Sequence, residues 1–366
     1  MEADSYITSG PIQNFTAYHE MEAQAVYGEL VYDLSDDWSF TLGARYTEED
    51  KSLTSISWPL VVGNTDRVAD NRDPSALLNL STPDFSDENL SYRFIVQRQL
   101  NNGMLYASLS TGFRSGGFFN RGTTASEVAP YQSEEVDSLE LGFRSNPTDN
   151  SQLNLTFYSM DYTDMQLPVI TAASDPVCGK GGAAEDAGGV TCSFIRNAGE
   201  VSMDGFELEG VLMPTDSLTL RATVGTFDGG FDSYDYNGVD IADTAQLLYA
   251  PELTMNIGAE HSSEIWGGLL TLTANMSFTD EVYTQTPWAT YDPNTYPKVT
   301  IDSWESLDLS ATFLLDTANG TLKLRAYATD ILEEGNRVQR RYTTGSFTWA
   351  ELAPRRQVGI TLGYEF

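Results

Sequence analysis

Apolar residues alternate with small or polar ones in short runs along most of the chain. The last ten residues show it most strictly. Val358, Ile360, Leu362, Tyr364 and Phe366 are apolar, and Gln357, Gly359, Thr361, Gly363 and Glu365 separate them. A period of two predicts a strand with one apolar face. Upstream, Val26, Gly28, Leu30 and Tyr32 lead to a turn at Ser35-Asp36-Asp37, and Phe40, Leu42, Ala44 and Tyr46 return from it. Tyr92, Phe94 and Val96 reach Asn101-Asn102-Gly103, an Asn-Gly hairpin signal, and Leu105, Ala107 and Leu109 come back. Leu139–Phe143 with Leu153–Phe157 repeats the unit, as does Phe206–Leu212 with Leu218–Val224 across a turn at Pro214-Thr215-Asp216. Leu253–Ala259 with Leu270–Met276 places a turn near Ser262, and Leu307–Phe313 with Leu322–Ala328 forms the last pair before the terminal strand. About thirteen strands are predicted.

Short turns alternate with long connections throughout. The long ones run roughly from Asp50 to Glu88, from Gly112 to Pro130, across the two cysteines, from Asp228 to Asp243, from Asp280 to Thr300 and from Leu332 to Ala353. A β-sandwich has no reason to put every long loop at one end; a transmembrane barrel does, with short periplasmic turns and long extracellular loops. The faces opposite the apolar ones carry Arg45, Glu140, Arg144, Glu207, Glu209, Arg221, Asp308 and Arg325, which suits a wet interior. The expected fold is therefore an all-β, antiparallel transmembrane β-barrel. Counting back from a terminal strand that descends to the periplasm, the first strand also descends. Bacterial single-chain barrels have even strand numbers. The expectation is that residues 21–366 are the carboxyl-terminal part of a larger barrel, with residues 1–20 a remnant of an extracellular loop.

Composition narrows the function. Net charge is −33, from 53 acidic and 20 basic residues, so a nucleic-acid partner, which needs Lys and Arg against phosphate, is excluded. No run approaches the roughly 20 apolar residues of a membrane helix, which is neutral for a barrel because only alternate residues meet lipid. The first ten residues carry no secretory signal. His19 and His261 are far apart, in no metal-ligand spacing, and read as solvated loop or turn residues. Gly112–Gly117 is not followed by the Gly-Lys-Ser/Thr of a phosphate loop. The spacing of Asp228, Asp232, Asp235, Asp240 and Asp243 fits no EF-hand calcium loop. The residues thus point to no enzyme, no metal and no cofactor.

Leu105–Phe119 reads L-Y-A-S-L-S-T-G-F-R-S-G-G-F-F, and Tyr131–Ser145 reads Y-Q-S-E-E-V-D-S-L-E-L-G-F-R-S. Together with Asn197-Ala198-Gly199 before Gly205-Phe206-Glu207, Ala250-Pro251 before a strand, and Pro354-Arg355-Arg356 before the last one, this order resembles TonB-dependent outer-membrane receptors over about residues 20–366. The terminal residues Val358, Ile360, Leu362, Tyr364 and Phe366 look like the assembly signal read by the barrel-assembly machinery. The resemblance implies a 22-stranded family barrel in the bacterial outer membrane, its lumen closed by a plug domain that residues 1–366 lack. Energy-coupled uptake of a scarce nutrient follows, most often an iron–siderophore complex, with the coupling protein TonB engaged only through that missing plug. The surroundings are outer-membrane lipid and lipopolysaccharide. The alternatives are a passive porin-like barrel and a soluble acidic β-rich enzyme.

Two loops carry the expected ligand contacts. Arg337, Arg340, Arg341, Tyr342 and Trp349 lie in a stretch without an acidic residue, and Arg114, Phe118, Phe119 and Arg121 lie on the same side. Arginine forks suit carboxylate, catecholate or phosphate oxygens, and aromatic rings stack on planar chelates. Lipopolysaccharide phosphates are the competing partner for those arginines. Cys178 and Cys192 bracket a Gly/Ala-rich stretch between two strand-like segments. Pairing would close a loop worth roughly 3 kcal/mol in the chain-entropy account, the alternative being two free thiols. Thiol labelling of the denatured, unreduced protein is expected to find no free thiol; quantitative labelling would refute the disulfide.

Overall fold

The computed structural model describes residues 13–59, 79–119, 125–172, 191–236, 238–284, 300–332, 338–343 and 348–366. Its strands are β1 (Gln13–Asp33), β2 (Trp38–Pro59), β3 (Asn79–Ser81), β4 (Asp84–Leu100), β5 (Gly103–Arg114), β6 (Glu134–Thr148), β7 (Ser151–Ala172), β8 (Thr191–Thr215), β9 (Leu218–Tyr236) and β10 (Val239–Asp240). There follow β11 (Leu253–Ile265), β12 (Gly268–Thr279), β13 (Val282–Tyr283), β14 (Thr300–Ile301), β15 (Trp304–Thr317), β16 (Gly320–Thr329), β17 (Val338–Thr343), β18 (Thr348–Leu352) and β19 (Gln357–Glu365). One sheet runs β1-β2-β4-β5-β6-β7-β8-β9-β11-β12-β15-β16-β19, a path of thirteen strands in sequence order. β3 adds to β2 and β10 to β9, while β13–β14 and β17–β18 form two small separate sheets. Every neighbouring pair on the path is antiparallel.

Register builds two unlike faces. On one, Leu105, Phe143, Leu155, Leu208, Val224, Met255 and Phe278 stand side by side across seven strands. On the other, one residue away, Arg144, Asn154, Glu209, Thr223, Asn256, Ser277 and Ser306 do the same. A one-residue slip would exchange these faces along a whole strand, so the contrast between lipid and water fixes the register. The apolar face remains exposed, with Leu30, Leu42, Leu109 and Ile257 each about half accessible or more, as a lipid-facing wall requires.

Three glycines on the wet face share one purpose. Gly142 lies opposite Tyr106, Gly205 opposite Tyr158 and Gly359 opposite Tyr327. A Cβ on any of them would overlap the tyrosine ring. The ring covers the backbone that glycine leaves bare, an aromatic rescue of a weak strand position. The Tyr106 hydroxyl also donates to Glu140, and the Arg144 guanidinium lies 5.3 Å over its ring.

Several strands extend beyond their apolar alternation. β2 continues to Pro59 and β9 to Tyr236, well into stretches that read as loops, and β1 begins at Gln13. Above the membrane the ladder needs only backbone partners, so the apolar signal stops before the strand does. The turn expected near Ser262 is at Trp266-Gly267, with φ values of 49° and 76°, the doubly left-handed form of a two-residue hairpin. His261 and Ser263 broke the apolar pattern early, and both are strand residues of β11. His19 also lies in a strand, β1. At Asn101-Asn102 the glycine is not in the turn: Gly103 pairs with Leu100, and a Cβ there would overlap the Arg144 carbonyl oxygen.

Gly142→Ala and Gly205→Ala are expected to lower stability by about 1–3 kcal/mol each through overpacking. Gly210→Ala, whose added Cβ meets nothing nearer than 4.0 Å, should be neutral or gain about 0.4–1 kcal/mol. Urea unfolding from lipid bilayers reads the difference in sign.

Candidate functional site

The rim above the apolar belt is held by a polar network built from the segments that follow β5 and precede β6. The chain leaves β5 at Arg114, and Gly116 must be glycine because a Cβ would overlap the Tyr131 carbonyl oxygen. Gly117 and Tyr131 exchange backbone hydrogen bonds of 3.1 and 2.9 Å. From β2, the Lys51 ammonium donates to Ser115 Oγ and to the Gly116 carbonyl, each at 2.7 Å, and pairs with Glu49 at 2.8 Å. The Lys51 side chain is only 9% exposed, and it holds the Glu49 carboxyl below the usual carboxylate range. From β4, Asp87 accepts from Ser115 Oγ at 2.8 Å and Ser133 Oγ at 3.2 Å.

β7 and β8 complete the network. The buried Gln166 amide nitrogen lies 3.0–3.1 Å from the carbonyl oxygens of Arg114, Ser115 and Gln132, and the Gln166 N–H donates to Glu134 at 2.7 Å. Asn197 accepts from the Gln132 N–H at 2.7 Å and donates to the carbonyls of Gln132, Ser133 and Asp164. Asp164 has φ 54° beside an irregularity in the β7–β8 register. Six strands are thereby tied to one pair of inward-folded segments. Lys51, Asp87 and Gln166 carried no motif in the sequence; Asn197 did, in Asn197-Ala198-Gly199.

Beside the network stands a small apolar core. Phe119 and Tyr236 pack on Val169 and Phe194, while Ala198, Tyr234, Ile241 and Ala245 form an adjoining cluster. Burial pushes the Tyr234 phenol up to about 12. Asp240 Oδ1 accepts from the N–H groups of Ala242 and Tyr234, each at 3.0 Å, and these donors hold its carboxyl below the ordinary range. Asp235 caps Gly238 N–H, and Asp232 accepts from Ser202 Oγ. Among the described residues no three His, Cys, Asp or Glu side chains come together as a metal site; these aspartates serve the backbone and a hydroxyl.

The residues expected to meet ligand divide into two groups. Arg114 is exposed at the end of β5, opposite Glu134. Phe118 sits between His19 and Phe85, with ring centroids 6.2 and 6.5 Å away, and Phe119 belongs to the apolar core. In the second group, Arg340, Arg341 and Tyr342 lie on β17 opposite Glu351, Ala350 and Trp349 of β18, and Trp349 is half exposed. β17 touches β14. Arg121, Arg337 and Cys178 lie outside the described residues, and Cys192 is in β8.

An alternating antiparallel sheet with short turns at one end, long connections at the other and a wet inner face is the wall of an outer-membrane barrel. The family model for the TonB dependent receptor-like β-barrel matches residues 2–331. The chain belongs to this family: it is part of an outer-membrane β-barrel of the TonB-dependent receptor type, and not an enzyme. Among solved structures, it is similar to the ferric yersiniabactin uptake receptor FyuA from Yersinia pestis, at 17% identity over 97% of this chain and 47% of that one, with a TM-score of 0.72. The siderophore receptor PiuA from Acinetobacter baumannii shares 17% identity over 94% of this chain and 43% of its own, TM-score 0.62. The copper transporter OprC shares 14% over 94% and 48%, TM-score 0.63. The chain thus spans about half the length of these receptors. No curated protein matches the sequence.

Asn197→Ala is expected to raise hydrogen exchange at the Gln132 amide, whose acceptor is lost, by a local destabilisation of about 1–3 kcal/mol. For Asp240 the folded value is depressed, so its contribution is complete above the ordinary aspartate value and is lost as pH falls through the folded one. Protection of the Tyr234 and Ala242 amides, corrected for intrinsic exchange, should therefore fall on acidification below about pH 4. Asp240→Asn should weaken that protection at neutral pH and flatten its pH dependence.

Proposed function

We propose that this chain forms part of the wall of a receptor for energy-coupled uptake of a scarce nutrient, with an iron–siderophore complex as its cargo. The observation that carries the reading is the stretch from Asn336 to Trp349, which holds Arg337, Arg340 and Arg341 with Tyr342, Phe347 and Trp349 and no acid, in a chain of net charge −33. A segment of this composition complements an anionic, planar chelate. Arg114, at the end of β5, adds a further guanidinium on the same side of the membrane, and Arg121 follows it seven residues on in the sequence. The likeness to FyuA, a ferric yersiniabactin uptake receptor, and to PiuA, a siderophore receptor, favours this cargo. The likeness to OprC, a copper transporter, favours a second reading in which the cargo is another metal species. Coupling to TonB would run through a plug domain in the lumen, the barrel-assembly machinery would read the terminal strand, and lipopolysaccharide would surround the rim.

Replacing Arg337, Arg340 and Arg341 with Gln in the full-length receptor is expected to weaken ferric-siderophore binding by at least about tenfold, since a charge-assisted hydrogen bond is worth roughly 1.5–3 kcal/mol. Surface display and heat-modifiable gel mobility should persist. Unchanged binding with loosened lipopolysaccharide association would assign the arginines to lipid phosphates instead.

A further inference from the structure

On the wet face of the wall, below the rim network, β1, β2 and β4 border a cavity of about 440 Å³. Register sets two rows beside it: Tyr27, Arg45 and Ser91 above, and Glu29, Gly43 and Arg93 below. Arg45 shares its face of β2 with Lys51, which meets the inward-folded segment at Ser115 and Gly116, so the cavity opens to the lumen. Gly43 makes room for the lower row. A Cβ there would lie 3.1 Å from Arg93 Cγ and 3.5 Å from the Glu29 carboxylate. Without one, Arg93 reaches over β2 and pairs with Glu29 of β1. The lower row is thus closed by a neutral ion pair.

Arg45 is left over. Its Nε donates to Thr47 Oγ1 at 3.1 Å, and Thr47 is buried, so the guanidinium is held at its root. Its two Nη groups have no partner among the described residues, in a chain with 53 acidic residues against 20 basic ones. The carboxylates nearest in register on β1 and β2 are already engaged: Glu29 holds Arg93, and Glu49 holds Lys51. Arg45 stands seven positions beyond Trp38 and six before Lys51. At a rise of about 3.4 Å per residue and a tilt near 45°, that is about 17 Å above the periplasmic turn and about 14 Å below the rim lysine. An arginine with an unused fork therefore sits inside the lumen at the height of the membrane, with the Tyr27 phenol beside it in register.

We propose that Arg45 anchors a carboxylate-binding station inside the lumen, with Tyr27 as a second donor. One unpaired guanidinium above a neutral ion pair balances one negative charge. Its planar fork matches the two oxygens of a carboxylate, whereas the higher charge of a phosphate would go uncompensated. The carboxylate is carried by cargo in transit or by a protein segment lodged in the lumen. Which of them arrives rests on the receptor reading; the station itself does not.

The test uses the purified full-length receptor in lipid bilayers, with phenylglyoxal as a reagent for unpaired guanidinium groups. Citrate is the carboxylate probe, set against chloride at equal ionic strength. Peptide mass spectrometry reads modification residue by residue. In chloride, Arg45 is expected to react and Arg93 to be spared by Glu29. Saturating citrate should slow reaction at Arg45 at least about fivefold, the factor reached at about four times Kd, and leave Arg221, an arginine on the wet face of β9, unchanged. That pattern assigns the station to a free anion. Arg45 spared in chloride but reactive in urea that leaves heat-modifiable gel mobility intact assigns it to a protein carboxylate. Reaction at Arg45 that citrate does not slow, equal slowing at Arg221, or an Arg45 spared in urea as well overturns the station. No outcome depends on ferric-siderophore binding at Arg337, Arg340 and Arg341, so failure of that reading shows separately.

Discussion

A backbone amide that crosses hydrocarbon has no water to turn to, and each unpaired group costs several kcal/mol there. The continuous ladder from β1 to β19 answers that constraint, and much else in the molecule follows from it. Pairing must be antiparallel between neighbours in sequence because the periplasmic connections are two residues long at five of the six turns, from Asn101-Asn102 to the turn before Gly320. With the backbone fixed in this way, side chains have one binary choice at each position, lipid or lumen. The rows from Leu105 to Phe278 and from Arg144 to Ser306 are that choice made consistently on seven strands.

The ladder also explains where glycine is tolerated. A bare glycine in a strand leaves backbone open to solvent on the lumen side and weakens pairing. Gly142, Gly205 and Gly359 avoid this by lying under Tyr106, Tyr158 and Tyr327. Each tyrosine in turn needs its glycine, since any Cβ would displace the ring. At the rim a similar exchange occurs between side chain and backbone. Where β5 ends and the chain folds inward, regular pairing stops, and Lys51, Asp87, Gln166 and Asn197 take over the orphaned carbonyls and amides. The rim segments that hold Phe118 and Phe119 are thus positioned by four side chains from four different strands.

Within the membrane band, the sequence was nearly a direct record of the fold. Period-two alternation there has a physical cause, one side being lipid, and the count of about thirteen strands and the placing of most short turns followed from it. The misplaced turn at Ser262 shows the limit. His261 and Ser263 face outward without being apolar, so the pattern ends at Ala259, six residues before the strand does. Above the membrane both faces are wet, no hydrophobic contrast marks the strand, and β2 and β9 ran on through stretches that looked like loops. The rim network was legible only at Asn197 and in the Gly-Phe-Arg-Ser-Gly run. Lys51 and Gln166 lie far in sequence from the segments they hold, and nothing local distinguishes a lysine that buries its ammonium from one that points into solvent. Phe118 and Phe119 read as ligand-facing aromatics because their partners, His19, Phe85, Val169 and Phe194, come from four other strands.

The acidic excess has a location that charge counting does not reveal. On the outward side of the sheet, above the apolar belt, the register brings Glu22 beside Asp50, Glu48 beside Glu88, Asp137 beside Asp161 and Asp204 beside Asp228. Directly opposed like charges oppose strand pairing. The extended strands tolerate them because these side chains are exposed, where water and salt screen the repulsion to a fraction of its buried value. At one pair the protein adds a donor: the Tyr46 hydroxyl lies 3.0 Å from Glu48 and from Glu88. The same carboxylates a few residues lower would face hydrocarbon, and there the positions are Leu42, Phe94, Leu139 and Phe206. The boundary between acid and leucine along each strand is therefore the level at which the membrane ends, written into the wall by solvation alone.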